Sequence, residues 1–367
     1  MLKTNLHRDV FCILGLPFDD VNTDDAVSNV NEKIENSEAC FLSTPNLNFV
    51  IAALDDKAFF QSVVDSGLSV ADGMPIIWIA KLLGIPIKER VAGSTLFSAL
   101  STSTRDKKIK VFFFGGQPGI AELAHDRLNS TSAGMTCCGF YDPGFVSIEK
   151  MSSTDIVDGI NQAKPDFVVV ALGAKKGQEW IQINKNLLNA PMISHLGAVI
   201  NFVAGSVERA PEFWQKTGLE WLWRIKQEPS LWRRYFFDGL VLFKLLVLNV
   251  LPLVCHNLIA KKSSYYIAQP IVEIQNSEVI VLRLNGSFRH NVLHDLKVRL
   301  SSVLADFNND VVINCINLKY IDSACIATLL LFQAELNKTK RDLRIEQVPQ
   351  RIRLVLKLNH VCNRFYY

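Results

Sequence analysis

The sequence has little net charge, no paired cysteine motif and no cluster of histidines, and each absence argues against a class of function. Its 367 residues include 39 basic and 36 acidic side chains, a net charge of +3. A general nucleic-acid binder needs a stronger positive bias, so we expect no nucleic-acid partner. The eight cysteines form no CxxC pair, which fits a reducing compartment. The first thirty residues carry acids and no long apolar run, so we expect no secretory signal and a cytoplasmic protein.

Metal-dependent and serine hydrolases are also disfavoured. The seven histidines are scattered, and His290 and His294, four residues apart, have no HExxH acid between them. We expect these two on the solvated face of a helix rather than at a metal. There is no GxSxG, and no GxGxxG follows a strand, which argues against a dinucleotide-dependent dehydrogenase. We therefore expect neither a metal site nor a cofactor.

What the sequence does contain is a repeated succession of apolar segment, glycine and helix-like segment. The three instances are Lys108–Gly116 before Ile120–Leu128, Asp166–Gly173 before Gln178–Leu188, and Met192–Gly197 before Ala198–Val203. Such a succession predicts βαβ units, and therefore an α/β fold with a Rossmann-like, mostly parallel sheet. Ligands of these sheets bind at the carboxyl ends of the strands, where the glycines lie. The turn Gly115-Gly116-Gln117-Pro118-Gly119 fits either a phosphate-binding loop or a plain βα turn.

Residues 205–262 differ in character from the segment before them. Nine basic residues face five acidic ones, and four tryptophans fall within nineteen residues. An apolar stretch then runs from Phe236 to Cys255. Its length approaches that of a membrane span, but Asp238, Lys244 and Pro252 argue for a helix lying in the membrane interface. A core helix packed on a second domain is the alternative.

A second block follows a polar linker at Lys261–Ser264. We predict strands at Ile271–Ile274, Val279–Leu284 and Val311–Ile316, and helices at His290–Leu304 and Ala324–Leu336. This pattern predicts a small α/β domain that folds independently. The predicted divisions are a first domain over residues 1–238, an apolar helix with its linker over 239–264, and a second domain over 265–367.

Two segments place polar side chains directly after apolar stretches. They are Leu42-Ser43-Thr44-Pro45-Asn46 and Val70-Ala71-Asp72-Gly73-Met74-Pro75. An aspartate before glycine is usually a turn residue. A carboxylate in an apolar setting can also act as a general base, because desolvation raises its pKa toward neutrality.

From about Ile13 to Tyr235 the sequence resembles the WecG/TagA/CpsF glycosyltransferases. An ordered series of motifs carries the resemblance: Ile13–Asp19, Thr44–Asn46, Ala71–Gly73, Glu89–Ser94, Leu172–Glu179, Gly197-Ala198, Phe202–Gly205, Arg209–Pro211, Gly218–Trp221, Gln227–Pro229 and Arg233–Tyr235. The resemblance implies a glycosyltransferase domain with a C-terminal helical appendage.

The resemblance also implies an activity. It is the inverting, metal-independent transfer of an N-acetylmannosamine-type sugar or glucose from a UDP-sugar donor to a polyprenyl-diphosphate-linked sugar acceptor. Such a step belongs to cell-envelope or exopolysaccharide biosynthesis. The enzyme would be peripheral on the inner face of the cell membrane, with homo-oligomerisation left open.

Site residues follow from the motifs. The family pattern makes Asp72 the catalytic base and Thr44 a residue that positions substrate. The remaining matches predict substrate contacts at Asn46, Gly73, Arg90, Gly173, Lys176, Gln178 and Gly197. Arg224, Arg233 and Arg234 match the basic helices that close over the site, where they would bind the diphosphate, lipid headgroups or both. Two departures, Thr95 in place of the relatives' aspartate and the loop Lys175–Gln178, leave the donor sugar open.

The C-terminal block resembles STAS domains through Ile321-Asp322-Ser323-Ala324-Cys325. The resemblance implies a protein partner and makes Ser323 a candidate phosphorylation site, although a helix N-cap explains the same serine. A rival hypothesis for the whole chain is an inactive, STAS-linked scaffold or regulator. Retention of both Thr44 and Asp72 argues against it.

Overall fold

The computed structural model describes residues 5–275 and 278–365. These residues fall into two compact units. One comprises Val21–Ile77 and Lys88–Gly239, and the other comprises Met1–Asp20, Trp78–Ile87 and Leu240–Tyr367. Neither unit is a single stretch of chain, and the contiguous boundaries at 238 and 264 stay a prediction from sequence pattern.

The strands are short and mostly apolar. In the described residues they are β1 (Val10–Ile13), β2 (Leu16–Asp19), β3 (Cys40–Ser43), β4 (Leu68–Ser69), β5 (Ile109–Gly115), β6 (Met135–Tyr141), β7 (Phe167–Ala171), β8 (Met192–His195), β9 (Ile271–Gln275), β10 (Ile280–Phe288), β11 (Val311–Asn314), β12 (Leu318–Ile321) and β13 (Leu343–Glu346).

Several helices begin at residues whose side chains accept a backbone N–H, among them Asn22, Asn46, Asp56 and Asp322. The helices are α1 (Thr23–Glu35), α2 (Leu47–Asp55), α3 (Lys57–Val64), α4 (Met74–Leu83), α5 (Gly93–Thr102), α6 (Ile120–Thr131), α7 (Ile148–Met151), α8 (Thr154–Gln162), α9 (Ala174–Asn184), α10 (Val199–Ala204), α11 (Glu212–Thr217), α12 (Glu220–Gln227), α13 (Trp232–Leu245), α14 (Leu251–Lys261), α15 (His294–Asp306), α16 (Ser323–Lys338) and α17 (Gln350–Leu358).

The first unit is built on a six-stranded parallel sheet with the order β4-β3-β8-β7-β5-β6. Its central strands are apolar on both faces. Phe167 and Val169 of β7 belong to one buried cluster, whereas Val168 and Val170 belong to the other. Burial on both faces is typical of a parallel sheet covered by helices. The predicted Rossmann-like α/β fold is confirmed.

The strand order determines where a ligand can enter this sheet. In the sheet, β6 lies on one side of β5 and β7 lies on the other side. The chain leaves β5 toward β6, whereas it leaves β7 in the opposite direction, toward β8. Connections that diverge in this way leave a crevice at the carboxyl ends of the two strands. The Gly116 N–H donates to the Ala171 carbonyl at 2.9 Å across this point.

The second unit contains a mixed sheet. β12, β10, β11 and β13 are parallel, and β9 pairs antiparallel with β10. Helix α16 is buried over most of its length, and the hairpin of β1 and β2 packs on it. The predicted small α/β domain is confirmed. The helix expected from His290 starts at His294, because residues 290–292 form a 3-10 turn.

A continuous helical run over Pro229–Lys261 is long and apolar enough to cross a membrane by length and composition. Only 17% of its most apolar 18-residue stretch is buried. Leu245, Val250 and Leu253 form the buried stripe, and the Asn249 side chain donates to the Leu358 carbonyl at 3.1 Å within the second unit. Its exposed apolar side chains are Trp232, Phe236, Phe237, Leu240, Phe243, Val247, Leu248, Leu251, Leu258 and Ile259. One stripe of the helical run is therefore buried, whereas another exposes apolar side chains.

Candidate active site

The two polar segments singled out in the sequence lie side by side at the carboxyl ends of β3 and β4. The Val70 N–H donates to the Ser43 carbonyl at 2.9 Å, and the Asp72 N–H donates to the Pro45 carbonyl at 3.0 Å. Residues 70–72 therefore extend the pairing of the two strands beyond the sheet. This extension places Asp72 beside the segment that carries Thr44.

Two glycines make this approach possible. Gly73 has φ +129°, which side chains rarely adopt, and a Cβ there would lie 3.5 Å from the Asn46 Cβ. A Cβ on Gly93 would lie 2.6 Å from a Leu196 methyl and 3.3 Å from the Thr44 methyl. A side chain at residue 93 would therefore require Leu196 and Thr44 to shift, so the glycine favours the close packing of the start of α5 on buried Thr44. The structure thus brings Thr44, Asn46, Asp72 and Gly73 together.

Asp72 lies among charged side chains from distant parts of the unit. Arg90 Nε is 3.7 Å from Asp72 Oδ1, and Arg90 Nη2 forms a 2.6 Å ion pair with Glu220 Oε2 on α12. The Asp72 side chain is 26% exposed. Burial raises the pKa of Asp72 above its ordinary value; Arg90 lowers it, Glu220 raises it further, and a hydrogen bond from Gly93 and the charge of Arg224 lower it.

Arg209 completes this charged group and was not among the predicted site residues. It donates a hydrogen bond to the Thr95 hydroxyl, and it interacts electrostatically with Asp72, Arg90 and Glu220. Its sequence signal was the motif Arg209-Ala210-Pro211, which matched the family pattern without an assigned role. Glu220 stood in another such motif, Gly218–Trp221. Neither motif by itself shows that its charged side chain meets Asp72.

Asn46 and Gln178 have clear structural roles. The Asn46 Oδ1 accepts the Phe49 N–H at 3.2 Å and caps α2. Gln178 is buried in α9, and its Oε1 accepts the Ser62 hydroxyl at 2.9 Å. Within the described part of the chain, the Gln178 amide nitrogen has no hydrogen-bond partner.

Other predicted residues lie at the ends of β7 and β8. Gly173 begins the turn into α9, and Gly197 packs against the Leu172 carbonyl and the His195 ring. Burial lowers the pKa of His195, so the ring is neutral near pH 7, and its Nε2 lies 2.6 Å from the Leu172 carbonyl oxygen. His195, which sequence reasoning did not single out, therefore fastens these two strand ends. Lys176 is exposed and donates to the Val146 carbonyl at 3.4 Å.

The three predicted arginines divide into two groups. Arg224 is close enough to Asp72 to lower the pKa of that carboxyl. Arg233 and Arg234 are exposed on α13, where their guanidinium groups lie over the rings of Trp232 and Tyr235 at 5.7 and 5.0 Å. Among the contacts of the described residues, neither of these two meets Asp72.

The candidate phosphorylation site lies in the second unit, at the start of α16. The N-cap of this helix is Asp322, whose Oδ1 accepts the Cys325 N–H at 2.9 Å. The alternative explanation of Ser323 as the N-cap is therefore wrong, because Ser323 is already the first residue of the helix. Ser323 is half-buried and borders a cavity of about 150 Å³ that Lys261 and His290 also line.

The Asp72 carboxyl can accept a proton, and the guanidinium groups around it can bind an anion. In residues 5–275 and 278–365, no group of three or more His, Cys, Asp or Glu side chains could hold a metal ion. The group around Asp72 itself offers one carboxyl of raised pKa, the Thr44 hydroxyl and three guanidinium groups.

Comparisons with known proteins agree with the division into two folds. Residues 11–253 match the family model described as the glycosyl transferase WecG/TagA/CpsF family. Residues 272–361 match the model described as Mlab, STAS domain.

Several relatives share one name, N-acetylglucosaminyldiphosphoundecaprenol N-acetyl-beta-D-mannosaminyltransferase. One from Bacillus spizizenii is 27% identical over 201 residues, which cover 55% of this chain and 76% of the relative. One from Bacillus subtilis is 26% identical over 201 residues, or 55% and 77% of the two chains. One from Staphylococcus aureus strain MW2 is 25% identical over 224 residues, or 60% and 85%.

Proposed function

The chain belongs to the WecG/TagA/CpsF family of glycosyl transferases, and from this premise we propose that it transfers a sugar from a UDP-sugar to a polyprenyl-diphosphate-linked acceptor. The proposed transfer inverts the anomeric configuration, needs no metal and serves cell-envelope or exopolysaccharide synthesis. The names of the relatives favour an acceptor that carries N-acetylglucosamine and a donor of the N-acetylmannosamine type, with UDP-glucose as the second donor to test.

The observation that carries this proposal is the environment of Asp72. Its carboxyl lies at the carboxyl end of β4, with a pKa raised chiefly by burial. A base works best when its pKa approaches the working pH, because it is then both ionised and a strong proton acceptor. In the proposed reaction Asp72 takes the proton of the acceptor hydroxyl while that oxygen attacks the anomeric carbon. The UDP leaves from the opposite face, which inverts the configuration, and Thr44 positions the substrate.

The departing diphosphate needs positive charge. Arg90 and Arg224 both act on Asp72 electrostatically, so they are near enough to the reacting group to serve the diphosphate. A guanidinium suits this role because its donors can bind two oxygens at once. Partly buried charged groups cost free energy to bring together, so this cluster favours an enzyme over an inactive scaffold.

The exposed apolar stripe of the Pro229–Lys261 run supports association with a membrane surface, and we propose that this surface is the cytoplasmic face of the cell membrane. The aromatic and aliphatic side chains of the run follow the basic, tryptophan-rich helix α12. Basic and aromatic residues next to an apolar face are typical of helices that lie in the interface.

Transfer can be tested directly with purified protein. We would supply UDP-N-acetylmannosamine or UDP-glucose with a short-chain polyprenyl-diphosphate N-acetylglucosamine, and measure UDP release and the lipid product. We expect product with at least one donor, no loss of rate in excess EDTA, and an inverted anomeric centre by NMR. Absence of product with every UDP-sugar offered would contradict the proposed donor class.

Membrane binding can be tested with single substitutions that spare the buried stripe. Phe243 is 68% exposed and Leu248 is 56% exposed. Removing one large apolar side chain from a membrane interface costs up to about 1.5–3 kcal/mol, so Phe243→Ser and Leu248→Ser should each lower the vesicle partition coefficient by about tenfold or more. Leu354→Ser on α17, at 47% exposure, is the control. Equal binding of all variants to phosphatidylglycerol-containing vesicles would argue against an interfacial helix.

A further inference from the structure

Arg209 is a positively charged residue near Asp72 that has no role in the proposed function. It lies between α10 and α11 and reaches back to Thr95, 114 residues away in the sequence, on the first turn of α5. The same turn begins at Gly93, whose backbone donates a hydrogen bond to Asp72. Thr95 therefore holds the Arg209 guanidinium on the helix end that borders the proposed base.

The Nε atoms of Arg90 and Arg209 are both buried, and neither has a hydrogen-bond partner within the described part of the chain. Each side chain uses a terminal nitrogen instead, Arg90 on Glu220 and Arg209 on Thr95. The Arg90 Nε nevertheless lies 3.7 Å from Asp72 Oδ1, within ion-pair distance. A buried donor without an acceptor is unfavourable, and a ligand that brings acceptor oxygens would remove this penalty at Arg209.

The charges of the group are also unbalanced. Asp72 and Glu220 supply two negative charges, whereas Arg90, Arg209 and Arg224 supply three positive ones. Burial lowers the pKa of Arg209, the charges of Glu220 and Asp72 raise it, and that of Arg90 lowers it. The guanidinium nevertheless stays charged at neutral pH. An anionic group would balance the excess positive charge and accept the free Arg209 donor.

We propose that Arg209 and Arg90 form a diphosphate-binding site beside Asp72, in which the Arg209 Nε–H donates to a phosphate oxygen of the nucleotide donor and Arg90 adds positive charge. This inference rests on the proposed function and deepens it, because it assigns the leaving group to two named residues. Arg209 thereby becomes a substrate-binding residue, and Thr95 becomes the residue that positions it. Arg233 and Arg234 on α13 are then available to interact with the membrane surface.

The test measures binding of inorganic pyrophosphate, UDP and uridine to the full chain by calorimetry. A lost hydrogen bond to a charged group typically weakens binding by about tenfold to a hundredfold. We expect that loss for pyrophosphate and UDP in Arg209→Gln, with little change for uridine. Thr95→Asp should have the same effect without touching either arginine, because its carboxylate would occupy Arg209.

A matched variant controls for general effects. Arg105→Gln removes another arginine whose buried Nε has no partner among the described residues, but which lies before the amino end of β5. It should bind pyrophosphate as the unmodified chain does. Thermal unfolding shows whether each variant is folded. If Arg209→Gln does not fold, the binding measured for Thr95→Asp tests the diphosphate site.

The outcomes separate this inference from the proposed function. No detectable pyrophosphate binding, or equal binding by Arg209→Gln and the unmodified chain, overturns the diphosphate site. If pyrophosphate binds in an Arg209-dependent way but UDP binds no better than pyrophosphate, the site stands and the nucleotide donor is contradicted.

Discussion

Asp72 and Asp322 occupy similar places in the two units of the chain, and their surroundings differ. Each follows a short strand, β4 or β12, and burial raises the pKa of each. The Asp322 oxygens accept the Cys325 N–H at 2.9 Å and the His290 N–H at 2.7 Å. Asp72 accepts one backbone hydrogen bond, from Gly93, and otherwise faces the side chains of Arg90, Glu220 and Arg224.

The difference shows what a buried carboxyl at a strand end is used for. Backbone donors hold Asp322 in one position and satisfy its charge, so its role is to begin α16. The partners of Asp72 are side chains of both signs, which shift its pKa and can be displaced by a ligand. Perturbed titration together with opposed charged partners is typical of active sites. Burial alone would not have distinguished the two aspartates.

The largest effect should come from substituting asparagine at each position. Removing a general base typically costs about 10²–10⁴-fold in rate, so Asp72→Asn should lose that much transfer with little change in unfolding temperature. Asp322→Asn should keep its rate, because asparagine caps a helix as well as aspartate does. Steady-state kinetics of both variants measure this, and full activity of Asp72→Asn would remove the base from the proposed mechanism.

A smaller effect should appear when alanine replaces the capping residue. Asp322→Ala leaves the Cys325 and His290 N–H groups without their acceptor, and loss of an N-cap costs about 0.5–2 kcal/mol. We expect that decrease in the free energy of unfolding, measured by denaturant titration, with unchanged transfer per folded molecule. A loss of turnover in a fully folded Asp322→Ala sample would mean that the two aspartates do not differ in the way described.

The smallest effect should be a shift in pH dependence. Transfer requires ionised Asp72, so the rate falls as the pH decreases through the raised pKa of Asp72. The Glu220 carboxylate contributes to raising that pKa. Glu220→Gln should therefore lower it and move the acidic limb of the kcat/KM profile to lower pH. Glu122→Gln on the exposed side of α6 removes the same charge elsewhere and should leave the limb in place, whereas a limb unmoved by Glu220→Gln would exclude Asp72 as its origin.

Much of the fold was predictable because its signals are local. The apolar segments before Gly116, Gly173 and Gly197 form β5, β7 and β8, and the segments after them form helices. The resemblance added residues from separate motifs, and the structure places Thr44, Asp72 and Arg90 in one region of the first unit. Sequence reasoning gave Arg209 no role, because its partners Thr95 and Asp72 are distant in the chain. It offered Ser323 as the N-cap of α16, whereas the N-cap is the adjacent Asp322, because a sequence pattern does not fix the exact residue at which a helix begins.

The amino-acid sequence by itself determined that a parallel sheet forms and that Asp72 stands where one of its strands ends, because apolar periodicity and glycine turns act over a few residues. Only the tertiary structure decided which charges surround that carboxyl. Arg90 and Glu220 are 130 residues apart in the chain and 2.6 Å apart in space. Electrostatic interactions depend on separation in space and on burial, so the chemistry of Asp72 arises from folding rather than from its own motif.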